Sequence, residues 1–261
     1  MKKLITILLF STLAFAGIDV VVSITPEVSM VKAIGGDKTD VKVMVPRGAS
    51  PHTYAPKPKD MIKLSSAKLY FSIGVEFEKS WLKKFKKQNP DMKIVNLSDD
   101  IKKINNNPHI WLSFDNLEFM AKKVYKNLVD IDKKNRDFYE KNLNDYLQSL
   151  KKCKNNITET LKNKKNKKFM TFHPAFTYFA NEFNLTQISI EVDGKEPGLR
   201  ELLKVIKEAK KDNIKTIIAS PEFSDKSAKV IATEVGASVI KISPLNPDIC
   251  NTIKLITNSL K

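Results

Sequence analysis

The sequence predicts an α/β protein of two lobes, each a parallel β-sheet flanked by helices, joined by one long backbone helix. Three observations predict it. Short β-branched apolar runs alternate with helically spaced stretches from residue 18 to about residue 97. A texture free of proline and glycine follows, from Asp115 to Leu161, and the alternation then resumes from Lys168 to the C-terminus. Alternating strands and helices are the pattern of a parallel sheet with covering helices. With 261 residues, 42% of them hydrophobic, the chain can bury a large core, as one α/β unit or two modest domains. The expected division is a signal peptide at 1–16, an N-terminal lobe at 17–112, a long linking helix at 113–162 and a C-terminal lobe at 163–261.

The opening MKKLITILLFSTLAFA has a basic head, an apolar run from Leu4 to Phe10, and Ala14 and Ala16 framing Phe15. That is the layout of a cleavable secretory signal, which puts the mature start at Gly17. No other segment approaches the roughly 18 apolar residues a membrane span needs. No cysteine follows the cleavage site, so the expectation is an exported periplasmic protein without a lipid anchor.

In the N-terminal lobe, residues 18–25 (IDVVVSIT) read as a buried parallel strand. Val28, Val31 and Ile34 then have helical spacing before the Gly35-Gly36 stop. Residues 41–45 form the next strand, and the loop RGASPHTYAPKPKD follows, stiffened by three prolines. A short helix at 60–67, a strand at 68–73, a helix at 77–85 and a strand at 93–97 complete the lobe. Between Asp115 and Leu161, apolar residues recur at three- and four-residue intervals, among them Leu117, Met120, Val124, Leu128, Leu143 and Leu150. This reads as a long helix with room for a break near Asp132; about 40 residues would run ~60 Å and bridge two lobes. In the C-terminal lobe, strands are expected at 168–172, 186–190, 216–220 and 238–242. Helices are expected at 175–183, 199–212, 227–236 and from about Asp248.

The formal charge is +16, and about +14 once Lys2 and Lys3 are removed with the signal. A basic surface can bind nucleic acid or anionic lipid. Here the lysine runs, such as Lys83 to Lys87, Lys151-Lys152 and Lys162 to Lys168, lack interleaved aromatics or a nucleic-acid motif, so a solvated surface and no nucleic-acid partner are expected. Cys153 and Cys250, in an exported chain, can form one bridge or remain buried thiols.

The chain has three histidines, His52, His109 and His173, each beside a proline in SPHTY, NPHIW and FHPAF. His52 and His173 fall just past expected strands, at the carboxyl ends where ligands collect in parallel sheets. His109 lies in a loop that can reach the same cleft. Proline beside a ligand restricts the loop and lowers the entropy lost on binding. Three imidazoles converging on one point would form a metal site suited to Zn2+.

PHTYAPKPKD, NPHIWLS and TFHPAFTYFANEF resemble the signature loops of the cluster A-I solute-binding proteins that serve bacterial zinc and manganese ABC transporters, the ZnuA and TroA type. The resemblance extends through GKEPGLRELLKVIKEAK and SPEFSDKSAKVIATEVGASVIKISPL and covers essentially the mature chain. It implies a metal held between two lobes, with His52 and His109 as ligands from the first lobe and His173 from the second. Histidine at the third position looks zinc-type, where manganese-type members carry glutamate; Zn2+ is the expected cargo, with Mn2+ as the alternative. The implied partners are a membrane permease and its cytoplasmic ATPase, with the binding protein itself a monomer and not an enzyme.

Two departures stand out. Ser243 occupies the position where the family commonly has an aspartate ligand, which leaves the fourth position to water or to Glu222, Asp248 or Glu76. The His-rich acidic loop of many zinc-type members is missing before His109. A three-histidine zinc with an open position is also the layout of a hydrolytic enzyme, but no general base pairs with this one. Trp111 and Phe172 read as cleft wall, and Tyr54 and Glu196 as supports for the loop and the lobe.

Overall fold

The computed structural model describes residues 17–191 and 195–260; the expected signal peptide lies outside them. Among the described residues, eight strands form two four-stranded sheets. The first contains β1 (Ile18–Val22), β2 (Thr39–Val43), β3 (Leu69–Ser72) and β4 (Lys93–Asn96), in the order β2-β1-β3-β4. The second contains β5 (Lys168–Thr171), β6 (Thr186–Ser189), β7 (Thr216–Ala219) and β8 (Ser238–Lys241), in the equivalent order β6-β5-β7-β8. Every pairing is parallel. The central strands β1, β3, β5 and β7 are the most apolar and lie almost wholly buried, because helices cover both faces of such a sheet. Strand β2 begins two residues before its expected start. Its ladder continues through Met44 and Val45, whose N–H groups reach Val22 O at 2.8 Å and Ser23 O at 3.0 Å.

In each sheet the chain leaves the first strand toward one edge and returns to the other side of it, which creates a switch point between β1 and β3 and another between β5 and β7. In the N-terminal lobe that crevice is filled by the chain's own carboxylates. Helix α1 (Thr25–Gly35) carries Glu27 in its first turn, and one of its oxygens accepts from Ser23 N at 3.0 Å and Ile24 N at 2.9 Å. Helix α3 (Glu76–Gln88) carries Glu78, which accepts from Ile73 N, Gly74 N and the Ser23 hydroxyl. The amides of the strand-to-helix turns that lead into the two helices are thereby satisfied from within. Burial, and for Glu27 the neighbouring Glu78 as well, raises both carboxyls above their ordinary range.

The segment 113–162, expected as one linking helix with room for a break near Asp132, is two helices that part at that residue. Helix α4 (Phe114–Ile131) starts at a Ser113 cap, whose side chain accepts from Asn116 N, and ends at Asp132. After a turn of 3-10 helix at Lys133–Asn135, α5 (Arg136–Lys162) runs back along α4. Lys154, well along α5, meets Asp115 at the start of α4 at 2.6 Å, so the pair is an antiparallel hairpin. Asp132 makes the break: its carboxylate accepts from Asn135 Nδ2 at 2.5 Å and Tyr139 OH at 2.9 Å, a local network that competes with helix continuation. Only α5 connects the lobes, and its 27 residues span ~40 Å rather than ~60 Å.

Helix α9 (Ile249–Ser259) packs on α5 and is tied to it by the Cys153–Cys250 disulfide, with the Cα atoms 6.1 Å apart. One hydrophobic core runs from β1 and β3 through α4 and α5 into Phe169, Phe179, Ile253 and Ile256 of the second lobe, so the lobes share packing as well as a connection. A second cluster, built around Met170, Ile188, Ile217 and Ile231, packs the C-terminal sheet against α7 (Leu199–Lys211) and α8 (Lys226–Val235). Among the described residues, no helix is long and apolar enough to cross a membrane.

Candidate metal centre

The carboxyl ends of the two sheets face each other, and nearly every strand sends one polar residue into the space between them. His52 follows β2, His109 follows β4, and His173 follows β5. Glu191 follows β6, Glu222 follows β7, and Ser243 follows β8. The structure brings the three sequence-expected histidines together: one ring nitrogen from each lies within 4.8 Å of the other two. His109 Nε2 and His173 Nε2 are 3.2 Å apart.

Two of the rings are held from behind. His109 Nδ1 sits 2.7 Å from Asn107 Oδ1, which also accepts the backbone N–H of His109 at 2.9 Å. Asn107 is itself fixed across the cleft, its amide donating to Pro174 O at 2.8 Å and Thr177 Oγ at 3.0 Å. His173 Nδ1 lies 2.9 Å from Glu191 Oε2, a buried pair not aligned as a hydrogen bond. Phe223 stacks on the His173 ring at 4.6 Å between centroids and 27° between planes. An outer hydrogen-bond acceptor such as Asn107 Oδ1 sets the tautomer of a ligating histidine and turns its other nitrogen inward.

His109 is 5% exposed and His173 8%, whereas His52 is only partly buried. Burial first, then the neighbouring His173 and His52 rings, push His109 well below the ordinary imidazole range. Burial and the His173 ring lower His52 likewise, against an opposing pull from Glu191 and Glu76. Unprotonated rings are the form that binds a cation.

The His52 loop is held by Tyr54, whose hydroxyl donates to Asp60 Oδ2 at 2.7 Å, and by Phe77 N, which donates to Pro51 O. Asp60 also accepts from Lys57 N and from Lys63 Nζ, both at 2.9 Å. Trp111 packs 5.0 Å from His109 and donates its indole N–H to Pro244 O at 2.8 Å. Phe172 is buried beside Phe223, and Glu196 accepts from Ser227 at the start of α8.

The three carboxylates offered for a fourth position are placed differently. Asp248 caps α9 by accepting from Asn251 N at 2.8 Å. Glu76 is 55% exposed and pairs with Lys79 at 3.0 Å. Glu222 lines a small cavity with His52, His109, Phe223 and Pro244. Asn107 and Glu191 escaped the sequence reading. Asn107 had a signal in its place two residues before His109, and Glu191 had one as an acid ending the apolar run ISI.

Across residues 20–257 the chain matches the family model described as ZnuA, zinc-uptake complex component A periplasmic. It is 29% identical over 251 residues to the high-affinity zinc uptake system protein ZnuA of Bacillus subtilis (strain 168), covering 87% of this chain and 78% of that protein. It is also 29% identical over 227 residues to the manganese ABC transporter substrate-binding lipoprotein PsaA of Streptococcus anginosus, covering 80% of this chain and 74% of that protein. Among solved structures, a crystal structure of ZnuA superposes with a TM-score of 0.89 at 38% identity, covering 93% of this chain and 97% of that one. The family match takes in both sheets, the helical hairpin and all three histidine loops, and the chain is therefore a member of the ZnuA family of metal-transporter substrate-binding proteins.

Proposed function

We propose that this protein captures Zn2+ outside the cytoplasm, holds it between residues 17–112 and 163–261 on His52, His109 and His173, and delivers it to an ABC transporter permease driven by a cytoplasmic ATPase. The observation that carries the reading is the 3.2 Å separation of His109 Nε2 and His173 Nε2. With Zn–N bonds of about 2.0–2.1 Å, two ligands on a tetrahedral zinc stand about 3.3–3.4 Å apart. The cradle already has that edge length. An all-nitrogen triad suits zinc, while manganese prefers oxygen-rich octahedral shells. His109 and His173 are buried, and Glu191 lies 2.9 Å from the second of them.

Manganese is the second reading, favoured by the name of the Streptococcus anginosus relative. Metal analysis of the purified protein and competition against a chromogenic chelator separate the two. Zinc retained and bound more tightly than manganese, with His52→Ala weakening it by at least about tenfold, is the expected result. Manganese preference, or unaltered zinc binding by His52→Ala, would overturn the assignment.

A further inference from the structure

We infer that Glu222 is the fourth ligand of the bound cation, replacing the carboxylate that Ser243 cannot supply, and that Ser220 and Ser243 park it when no ion is bound. The inference rests on the metal-site reading above and concerns what completes it.

Four observations converge on Glu222. It follows β7 at the carboxyl edge that also presents His173, Glu191 and Ser243. It lines a small cavity with His52 and His109. Its neighbour Phe223 is stacked on His173, which fixes the backbone of this loop beside the cradle. Among the described residues its carboxylate has neutral partners: Ser243 Oγ donates to Oε1 at 2.5 Å and Ser220 Oγ donates to Oε2. Glu76 is paired with Lys79 and Asp248 is spent on a helix cap, so of the three carboxylates offered for the fourth position Glu222 is the one at the cradle, with no cation partner among the described residues.

Charge argues the same way. Three neutral imidazoles leave a divalent ion with its full charge in a largely buried cleft, where an uncompensated charge is costly. Glu191 behind His173 supplies one negative charge and Glu222 supplies the second. Each serine hydroxyl can donate a single proton to its carboxylate oxygen, so both oxygens keep a free lone pair. Moving from the serines to the ion takes side-chain rotation in a residue with three rotatable bonds. Ser243 then has a role that a ligating aspartate could not fill: it holds the fourth ligand out of the cradle until an ion arrives.

The test uses the full mature chain, loaded either with Zn2+ for chelator competition or with Co2+ for visible absorption, which reports the ligand set directly. Glu222→Gln should weaken zinc about 10–100-fold, the size of effect seen when groups that tune a metal site are lost, and should change the cobalt band position and intensity. Glu76→Gln should alter neither. Ser243→Ala, which removes a parking bond and no ligand, should bind zinc at least as tightly as the parent. Circular dichroism and melting of the metal-free variants check that each is folded. If Glu222→Gln binds within twofold of the parent with an unaltered cobalt spectrum, while His109→Ala loses tight binding, the Glu222 assignment is wrong and the three-histidine site stands. If His109→Ala also binds normally, the site itself is wrong.

Discussion

The indole N–H of Trp111, two residues past His109, donates to Pro244 O, one residue past Ser243, at 2.8 Å. This bond closes the floor of the cleft between residues 133 positions apart. Trp111→Phe keeps most of the packing but leaves a buried carbonyl without its donor. A loss of about 1–3 kcal/mol in unfolding free energy is expected, together with faster chelator-driven removal of bound metal. Urea melts and stopped-flow chelation measure the two effects, and an unchanged removal rate would deny the bond any part in holding the cleft shut.

Asn107 orients His109 and bridges to Pro174 and Thr177 of the other lobe. Asn107→Ala should reduce zinc affinity by about 10–100-fold with the three ligands intact. Asn107→Asp retains an acceptor toward Nδ1 and should recover part of the loss. Equal affinities for the alanine variant and the parent in chelator competition would rule out the orienting role.

Asp60 makes acid stability readable. Burial raises its pKa, but hydrogen bonds from Lys63, Tyr54 and Lys57 and the Lys63 charge outweigh that and hold it at about 2. The folded value lies below the ordinary aspartate value of 3.8. Its contribution is therefore present at higher pH and is lost as pH falls from about 4 toward 2. Asp60→Asn should destabilise the protein at pH 6, and the gap to the parent should narrow in that acid window. A gap that stays constant on denaturant titration between pH 6 and pH 3 would show that the charge of Asp60 contributes nothing.

Glu27 carries the opposite sign. Its raised pKa means that its stabilising contribution is complete at low pH and declines as pH rises through the folded value. One oxygen caps two amides while the other, Oε1, is buried without a partner. Glu27→Gln preserves the cap without the charge and should cost less than about 1 kcal/mol at pH 8, whereas Glu27→Ala should cost about 1–3 kcal/mol. Calorimetry at pH 5 and pH 8 would expose a wrong assignment if the glutamine variant lost as much as the alanine one.

Reducing the Cys153–Cys250 bridge should lower stability by about 2–4 kcal/mol. The paired Cys153→Ser and Cys250→Ser variant should match the reduced protein in its melting curve. A reduced protein that melts with the oxidised one would mean that packing between α5 and α9 alone sets their stability.

The eight strands were legible because each is a short β-branched run between helical stretches, and the observed ends fall within about two residues of the expected ones at most boundaries, as strand and helix ends commonly do. The hairpin was harder to read. Asp132 turns the chain through carboxylate bonds to Asn135 and Tyr139, with no glycine or proline to mark it, and both flanking segments keep an apolar helical face. The histidines were visible through their scarcity and their prolines. Glu191 was not, nor was the contact between Glu222 and Ser243, though both of those residues were singled out, because each depends on which strand lies beside which. Ser243 and Glu222 meet only because β7 and β8 run in parallel register, with Ala219 beside Lys241.

The disulfide also sets a schedule. The chain is made from its N-terminus, and Cys250 follows Cys153 by 97 residues. At about 5–20 residues per second, Cys153 waits roughly 5–20 s as a lone thiol before a partner exists. With two cysteines in the whole chain, no wrong intramolecular pairing is open to it, so its only error is capture by another molecule. The final helix is thus a late-arriving clasp, and a chain cut short before Ile249 would carry a permanently reactive sulfur on the strut between its lobes.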